Sequence, residues 1–182
     1  MNLITNLFYI VCFWTSIIKA PVYLTQSGTI QFKTEAPLET IEAKSNVLKG
    51  AVDGGNNTFA FTIDMNSFEG FNSPLQKVHF NENYLESKIY TKATFIGKII
   101  EDVDLNSQGL QTIRAKGKLN VHGVEQERII KCTINIDGGT MKLNANFSVM
   151  LKDHNITIPR IVYQKISEEI KVLVSAELKL QP

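Results

Sequence analysis

Met141-Lys142-Leu143-Asn144-Ala145-Asn146-Phe147-Ser148-Val149-Met150-Leu151 puts Met141, Leu143, Ala145, Phe147, Val149 and Leu151 on one side of an extended chain. Lys142, Asn144, Asn146 and Ser148 fall on the other. Period-two alternation of this kind belongs to a strand with one buried face and one wet face. The same reading extends in both directions. In Asn57 to Met65 the apolar side is Phe59, Phe61, Ile63 and Met65, opposed by Thr58, Thr62 and Asp64. In Gln111 to Val121, Ile113, Ala115, Leu119 and Val121 alternate with Thr112, Arg114, Lys116, Lys118 and Asn120. Ile130 to Ile136 and Ile170 to Leu180 repeat the pattern, and it is weaker over Thr29 to Thr34, Ile41 to Lys49 and Ala93 to Ile100. These segments predict about eight strands.

Turn chemistry separates them at Asp53-Gly54-Gly55-Asn56, Asn106-Ser107-Gln108-Gly109, His122-Gly123 and Asp137-Gly138-Gly139. Links this short join antiparallel neighbours, because a parallel crossover needs roughly a dozen residues. The fold class is all-β, and the domain is single. Long one-sided strands favour an elongated barrel over a sandwich, since closure removes exposed edges. At about eight strands the interior either fills with side chains or holds one small ligand. The alternation pattern fits both.

One stretch departs from period two. Ser73 precedes Pro74, with apolar residues at Leu75, Val78 and Phe80. Serine as cap and proline at the first helical position predict one or two turns over Leu75 to Phe80. Leu75, Val78 and Phe80 are expected to bury against the barrel as a cover for one end.

The apolar run from Leu3 to Ile18 has the length of a signal-peptide core and is short for a membrane span. Residues 1–20 read as a cleaved signal peptide, with 21–182 as the exported domain. An uncleaved anchor and a lipoprotein acylated on Cys12 are the other readings. Loss of the leader leaves Cys132 as the only cysteine, so no internal disulfide forms. Cys132 shares its strand face with Ile134 and Ile136 and reads as a core residue. Lys19 is the only charged residue among the first twenty, so the remainder balances 18 basic against 18 acidic residues. A neutral domain has no electrostatic reason to bind nucleic acid or an anionic membrane, and partners recognised by charge are disfavoured.

No nucleophile elbow, phosphate loop, dinucleotide fingerprint or H-E-x-x-H motif occurs. The carboxylate pairs Glu101-Asp102, Glu125 with Glu127, and Glu168-Glu169 sit at turns and strand ends, where solvation explains them. His79, His122 and His154 each lie at the edge of a regular element and could converge at one barrel mouth, yet no two have a ligand-like spacing. The reading is a protein with no enzymatic activity, no cofactor and no metal.

Several segments together resemble the YceI-like family. Gly28-Thr29-Ile30-Gln31-Phe32, Leu48-Lys49-Gly50 and Phe59-Ala60-Phe61-Thr62-Ile63-Asp64-Met65 are similar to its opening. Leu75 to Leu85 leading into Lys92-Ala93-Thr94-Phe95 resembles its helical insertion, and Gly117-Lys118-Leu119-Asn120-Val121-His122-Gly123-Val124 resembles its G-x-L-x-(I/V)-H-G-V turn. Phe147-Ser148-Val149 with Ile158-Pro159 also fits. Tyr90-Thr91 and Glu125-Gln126 depart from the family's usual Tyr-Pro and Thr-Lys. The resemblance implies an extended eight-stranded, lipocalin-like antiparallel barrel with a short helical insertion. It also implies an exported, typically periplasmic protein carrying a polyisoprenoid or similar long-chain amphipathic lipid. The apolar residues expected to face inward, near the helical insertion and on the wide strands, are the ligand-binding candidates, with none carried over from the family: Phe59, Phe61, Met65, Phe80, Phe95, Leu119, Leu143 and Phe147. The alternative is an envelope interaction module with a filled barrel. The protein partner is unknown, and a homodimer is left open.

Overall fold

The structure is a computed structural model and describes residues 20–182. The expected leader, with Cys12, lies outside the described residues apart from Ala20. Eight strands follow in order: β1 (Val22–Glu35), β2 (Thr40–Asp53), β3 (Thr58–Asp64), β4 (Lys92–Ile99), β5 (Gly109–Val121), β6 (Val124–Asp137), β7 (Thr140–Met150) and β8 (Glu169–Leu180). Each pairs antiparallel with the next, and β8 returns to β1 to close a barrel. Register carries the inward rows onto one another. Along β7 and β8, Met141 faces Leu178, Leu143 faces Ala176, Ala145 faces Val174 and Phe147 faces Val172.

Two strands start earlier than their periodicity predicts, for different reasons. In β1 the register shifts between Thr25 and Gly28 and again between Gly28 and Ile30. The inward set Tyr23, Thr25 is therefore out of phase with Ile30 and Phe32, and alternation read across the bulge fails. In β6 the residues ahead of Ile130 include Gln126 and Arg128 at inward positions. Pairing of β6 with β7 runs only from Cys132–Ala145 to Asp137–Thr140. Beyond that point the strands separate. Arg128 donates to the Ser148 carbonyl at 2.6 Å and Gln126 to the Asp153 carbonyl at 2.7 Å, filling the seam with side-chain hydrogen bonds.

The barrel has a floor and a mouth. At the floor the link between β4 and β5 folds Leu105 inward, where its carbonyl accepts a hydrogen bond from the Tyr23 hydroxyl at 3.0 Å. Met141 and Leu178 are fully buried there. At the mouth lies the helical insertion, α1 (Pro74–His79), continued by a π-helical turn over Phe80–Tyr84. Ser73 Oγ caps it by accepting from the Gln76 N–H at 3.2 Å, and Pro74 holds the first position. The expected burial of its apolar face is corrected in part. Phe80 packs inward, but Leu75 and Val78 are exposed.

Candidate functional site

The barrel interior holds two chambers that share part of their walls. The inner one, toward the floor, has a volume of about 110 Å³ and is walled by side chains such as Phe59, Phe95, Ile113, Leu143 and Ala145. The outer one opens at the mouth and holds about 480 Å³. Ile30, Ile63, Ala93, Leu119 and Phe147 line both, forming a waist between them. The two lie end to end and suit one narrow occupant threaded through the waist. The inner walls are almost wholly alkyl and aromatic, and the outer chamber adds polar side chains, Glu39, Gln76, His79 and Lys165 among them, to a mainly apolar lining; such walls favour burial of apolar groups without directional bonds.

All eight candidate residues line this space. Phe59, Phe61, Phe95 and Leu143 line the inner chamber, Met65 and Phe80 line the outer, and Leu119 and Phe147 stand at the waist. Rings of Phe59 and Phe95 meet with centroids 4.8 Å apart. The outer chamber carries an aromatic cluster of which only Phe80 is among the sequence candidates. Phe80 stacks on Phe32 at 5.3 Å and meets Phe71 at 5.2 Å and Phe68 at 5.8 Å. Phe68 and Phe71 lie in an irregular stretch with no period to read. The only signal for them in the sequence is the aromatic pair itself, in Phe68-Glu69-Gly70-Phe71. Tyr84 lines the same chamber from the π-helical turn, and burial raises its phenol's pKa.

The histidines fall at the mouth end but do not gather. His79 lines the outer chamber. His122 and His154 belong to the scaffold: His122 Nδ1 faces the His154 carbonyl at 3.1 Å, and its Nε2 faces Glu86 Oε2 at 2.7 Å. His154 is fully buried, with Nδ1 placed 3.0 Å from the Val124 carbonyl. His122 and Gly123 both adopt positive φ, the geometry of a tight hairpin turn. A Cβ on Gly123 would lie 2.4 Å from the Tyr90 ring, which also packs edge-on against His122. This turn therefore clamps the helical insertion to the β5–β6 hairpin. Among the described residues, no three of His, Cys, Asp and Glu come close enough together to hold a metal ion.

Cys132 lines the inner chamber, and burial pushes its thiol up to about 11. The thiolate is the reactive form, so at pH 8 its labelling by Ellman's reagent should be about two orders of magnitude slower in the folded protein than in urea. The raised value also sets a sign for stability. It has no effect below the unfolded thiol's pKa, and stability falls as pH rises from there through 11. Folded-state labelling as fast as in urea would mean that the chamber wall opens freely.

A family model described as the YceI-like domain matches residues 23–178. Among solved structures, a polyisoprenoid binding domain from Saccharophagus degradans is similar at TM-score 0.74 and 14% identity, covering 90% of this chain and 100% of that one. BcnA of Burkholderia cenocepacia gives TM-score 0.67 at 14% identity, with 85% and 96% covered. The YceI protein of Campylobacter jejuni gives 0.56 at 14% identity, with both chains fully covered. At this identity the likeness concerns the fold. A search of curated proteins finds no match.

Proposed function

The chain belongs to the YceI-like domain family, and on that premise we propose that it is an exported carrier of a polyisoprenoid or similar long-chain lipid, acting by binding and not by catalysis. The observation that carries this reading is the pair of apolar chambers joined at one waist, closed at the floor and open at the mouth. A chain entering tail-first leaves its polar end at the rim, beside Glu39, Gln76 and His79, where water and polar side chains can solvate it. The fold's likeness to a polyisoprenoid binding domain supports the choice of ligand class. The apolar run at 3–18 supports export to a bacterial periplasm.

One measurement addresses both parts. Protein purified from its own cells and weighed intact by native mass spectrometry is expected to lack the leader, and with it Trp14, the only tryptophan. It is expected to carry one lipid that solvent extraction removes. A mass that keeps residues 1–20 would replace the leader with an anchor. A clean lipid-free mass would move the reading to an interaction module.

The aromatic cluster makes a further claim. Phe80 touches three other rings at the entrance to the outer chamber, and each such pair contributes about 0.5–1.5 kcal/mol beyond area burial. Phe80→Ala is expected to speed release of a fluorescent prenyl chain by tenfold or more in stopped-flow. An unchanged off-rate would show that the insertion does not retain the ligand.

A further inference from the structure

The barrel wall is not sealed all round by its ladders. Residues 124–131 of β6 pair with β5 alone, and residues 146–150 of β7 pair with β8 alone. Two strand edges therefore face each other across a seam that runs from the last ladder pair, Cys132 with Ala145, toward the mouth. The seam stands beside the cavity. Gln126 is the cross-strand neighbour of Leu119, and Phe147 lies on the opposite lip, so both waist residues flank it. Val149 and Leu151 carry the β7 lip on along the outer chamber. At the foot of the seam the wall is thin. Cys132, Ala145 and Val174 line the inner chamber and also a groove of about 500 Å³ on the outer surface.

Side chains, not a ladder, close this gap. Arg128 donates to the Ser148 carbonyl at 2.6 Å, and Gln126 to the Asp153 carbonyl at 2.7 Å. The Arg128 guanidinium stays 3.9 Å from the Asp153 carboxylate, too far for a hydrogen bond. Nearer the mouth, His154 is wedged in from the 3-10 turn Leu151–His154, with Nδ1 3.0 Å from the Val124 carbonyl. A carbonyl only accepts, so Nδ1 carries a proton. Nε2 is buried with no hydrogen-bond partner among the described residues. The closed seam thus holds an unsatisfied polar atom that water would satisfy on opening. Side-chain bonds of this kind exchange for water one at a time, whereas a ladder gives way as a unit.

We propose that the β6–β7 seam is a lateral portal for the cargo chain, latched by Arg128 and Gln126 and wedged by His154. The proposal rests on the carrier reading and adds the route by which the chain enters and leaves. Through the mouth, a chain has to pass end-on through the rings packed around Phe80. Through the seam, the tail reaches the waist directly and the rest is laid along β7 into the outer chamber, polar end last at the rim. The seated chain is the same by either route. Opening the seam therefore changes the rates of entry and exit together and leaves the affinity as it was.

Arg128→Met and Gln126→Met remove the latch while keeping an unbranched side chain. Stopped-flow with a fluorescent prenyl chain reads association and release, and an equilibrium titration reads Kd. Both rates should rise by the same factor at unchanged Kd, about tenfold where the charge-assisted bond of Arg128 is lost and about fivefold for Gln126. A third variant, Arg128→Cys with Asp153→Cys, is measured before and after a short bismaleimide joins the two thiols. Cys132 is buried, and its raised thiol keeps it out of that reaction. The unjoined form should exchange as fast as Arg128→Met, and the joined form about tenfold slower or more, again at the wild-type Kd. The joined pair decides the matter even where a latch variant fails to fold. Latch variants and joined protein that all exchange at the wild-type rate would overturn the proposal, with the mouth as the route and the carrier reading intact. Faster release with unchanged association and a weaker Kd would make Arg128 and Gln126 holders of the bound chain, which also overturns it. Failure of the wild type to take up the chain at all would bring down the carrier reading, and the portal with it.

Discussion

Ala145→Phe is expected to cost more than a hundredfold in affinity for a long prenyl chain while leaving the lipid-free protein nearly as stable as wild type. Ala145 lies on β7 between Leu143 and Phe147 and lines the inner chamber. That chamber's volume of about 110 Å³ matches roughly four water-sized groups, so it accepts the last few carbons of a chain or one introduced ring, but not both. Each methylene kept from burial loses about 0.8 kcal/mol, and four lose about 3 kcal/mol, a factor above one hundred. In a filled core the same ring would be an overpacking error costing about 1–3 kcal/mol. The measurements are a binding titration and a thermal melt on lipid-free protein. Unchanged affinity would show that the chain stops at the waist. A large stability loss with no ligand in the wild type would mean that the inner chamber is too small to hold one.

The residues at the waist explain why this variant should affect long chains more than short ones. A chain that ends above Phe147 and Leu119 occupies only the outer chamber and never meets position 145. Comparing a short and a long prenyl chain in the same titration therefore separates the two chambers.

The strands were legible in the sequence because one face of each is buried and the other is wet, and period two follows directly from that arrangement. β7 shows it from Met141 to Val149, and all of that inward row reaches the interior. Legibility failed where inward residues are polar or the register slips. Gln126 and Arg128 occupy inward positions of β6 because they bridge a seam to β7, a long-range arrangement that leaves no local pattern. The bulges in β1 break the phase for the same segment that supplies Tyr23 to the floor. The outer chamber suffered most. Phe68 and Phe71 come from irregular chain, and their place beside Phe32 depends on the fold of the whole insertion. The helix is legible from its cap, yet Leu75 and Val78 stay exposed, because at 3.6 residues per turn Phe80 projects from the opposite side. Amphipathicity identifies a face that avoids water but not whether protein, cargo or a membrane will cover it.

The remaining prediction concerns the closest approach of main chain between β4 and β5. Gly97 on β4 and Gly117 on β5 face each other across the ladder. A Cβ on Gly97 would lie 2.0 Å from the Lys116 carbonyl oxygen and 2.5 Å from Gly117 Cα, and one on Gly117 would lie 2.4 Å from the Ile96 carbonyl oxygen. These neighbours are main chain, so no rotamer change can relieve the clash. Only strands carrying glycine at both positions can approach this closely. Relief therefore requires β4 and β5 to part, which would break ladder hydrogen bonds and shift Phe95 and Leu119, a facing pair that both line the inner chamber. Gly97→Ala should destabilise by about 3 kcal/mol or more, at or beyond the upper end of ordinary overpacking. At roughly 2–4 °C per kcal/mol for a domain of this size, the melting temperature should fall by about 6–12 °C. Gly138→Ala, at a floor turn where a Cβ meets nothing within 4 Å, serves as the control. Its strain comes only from a positive φ of 51° and should cost about 1–2 kcal/mol. A Gly97→Ala protein melting with or above this control would show that β4 and β5 can part at this pair without loss.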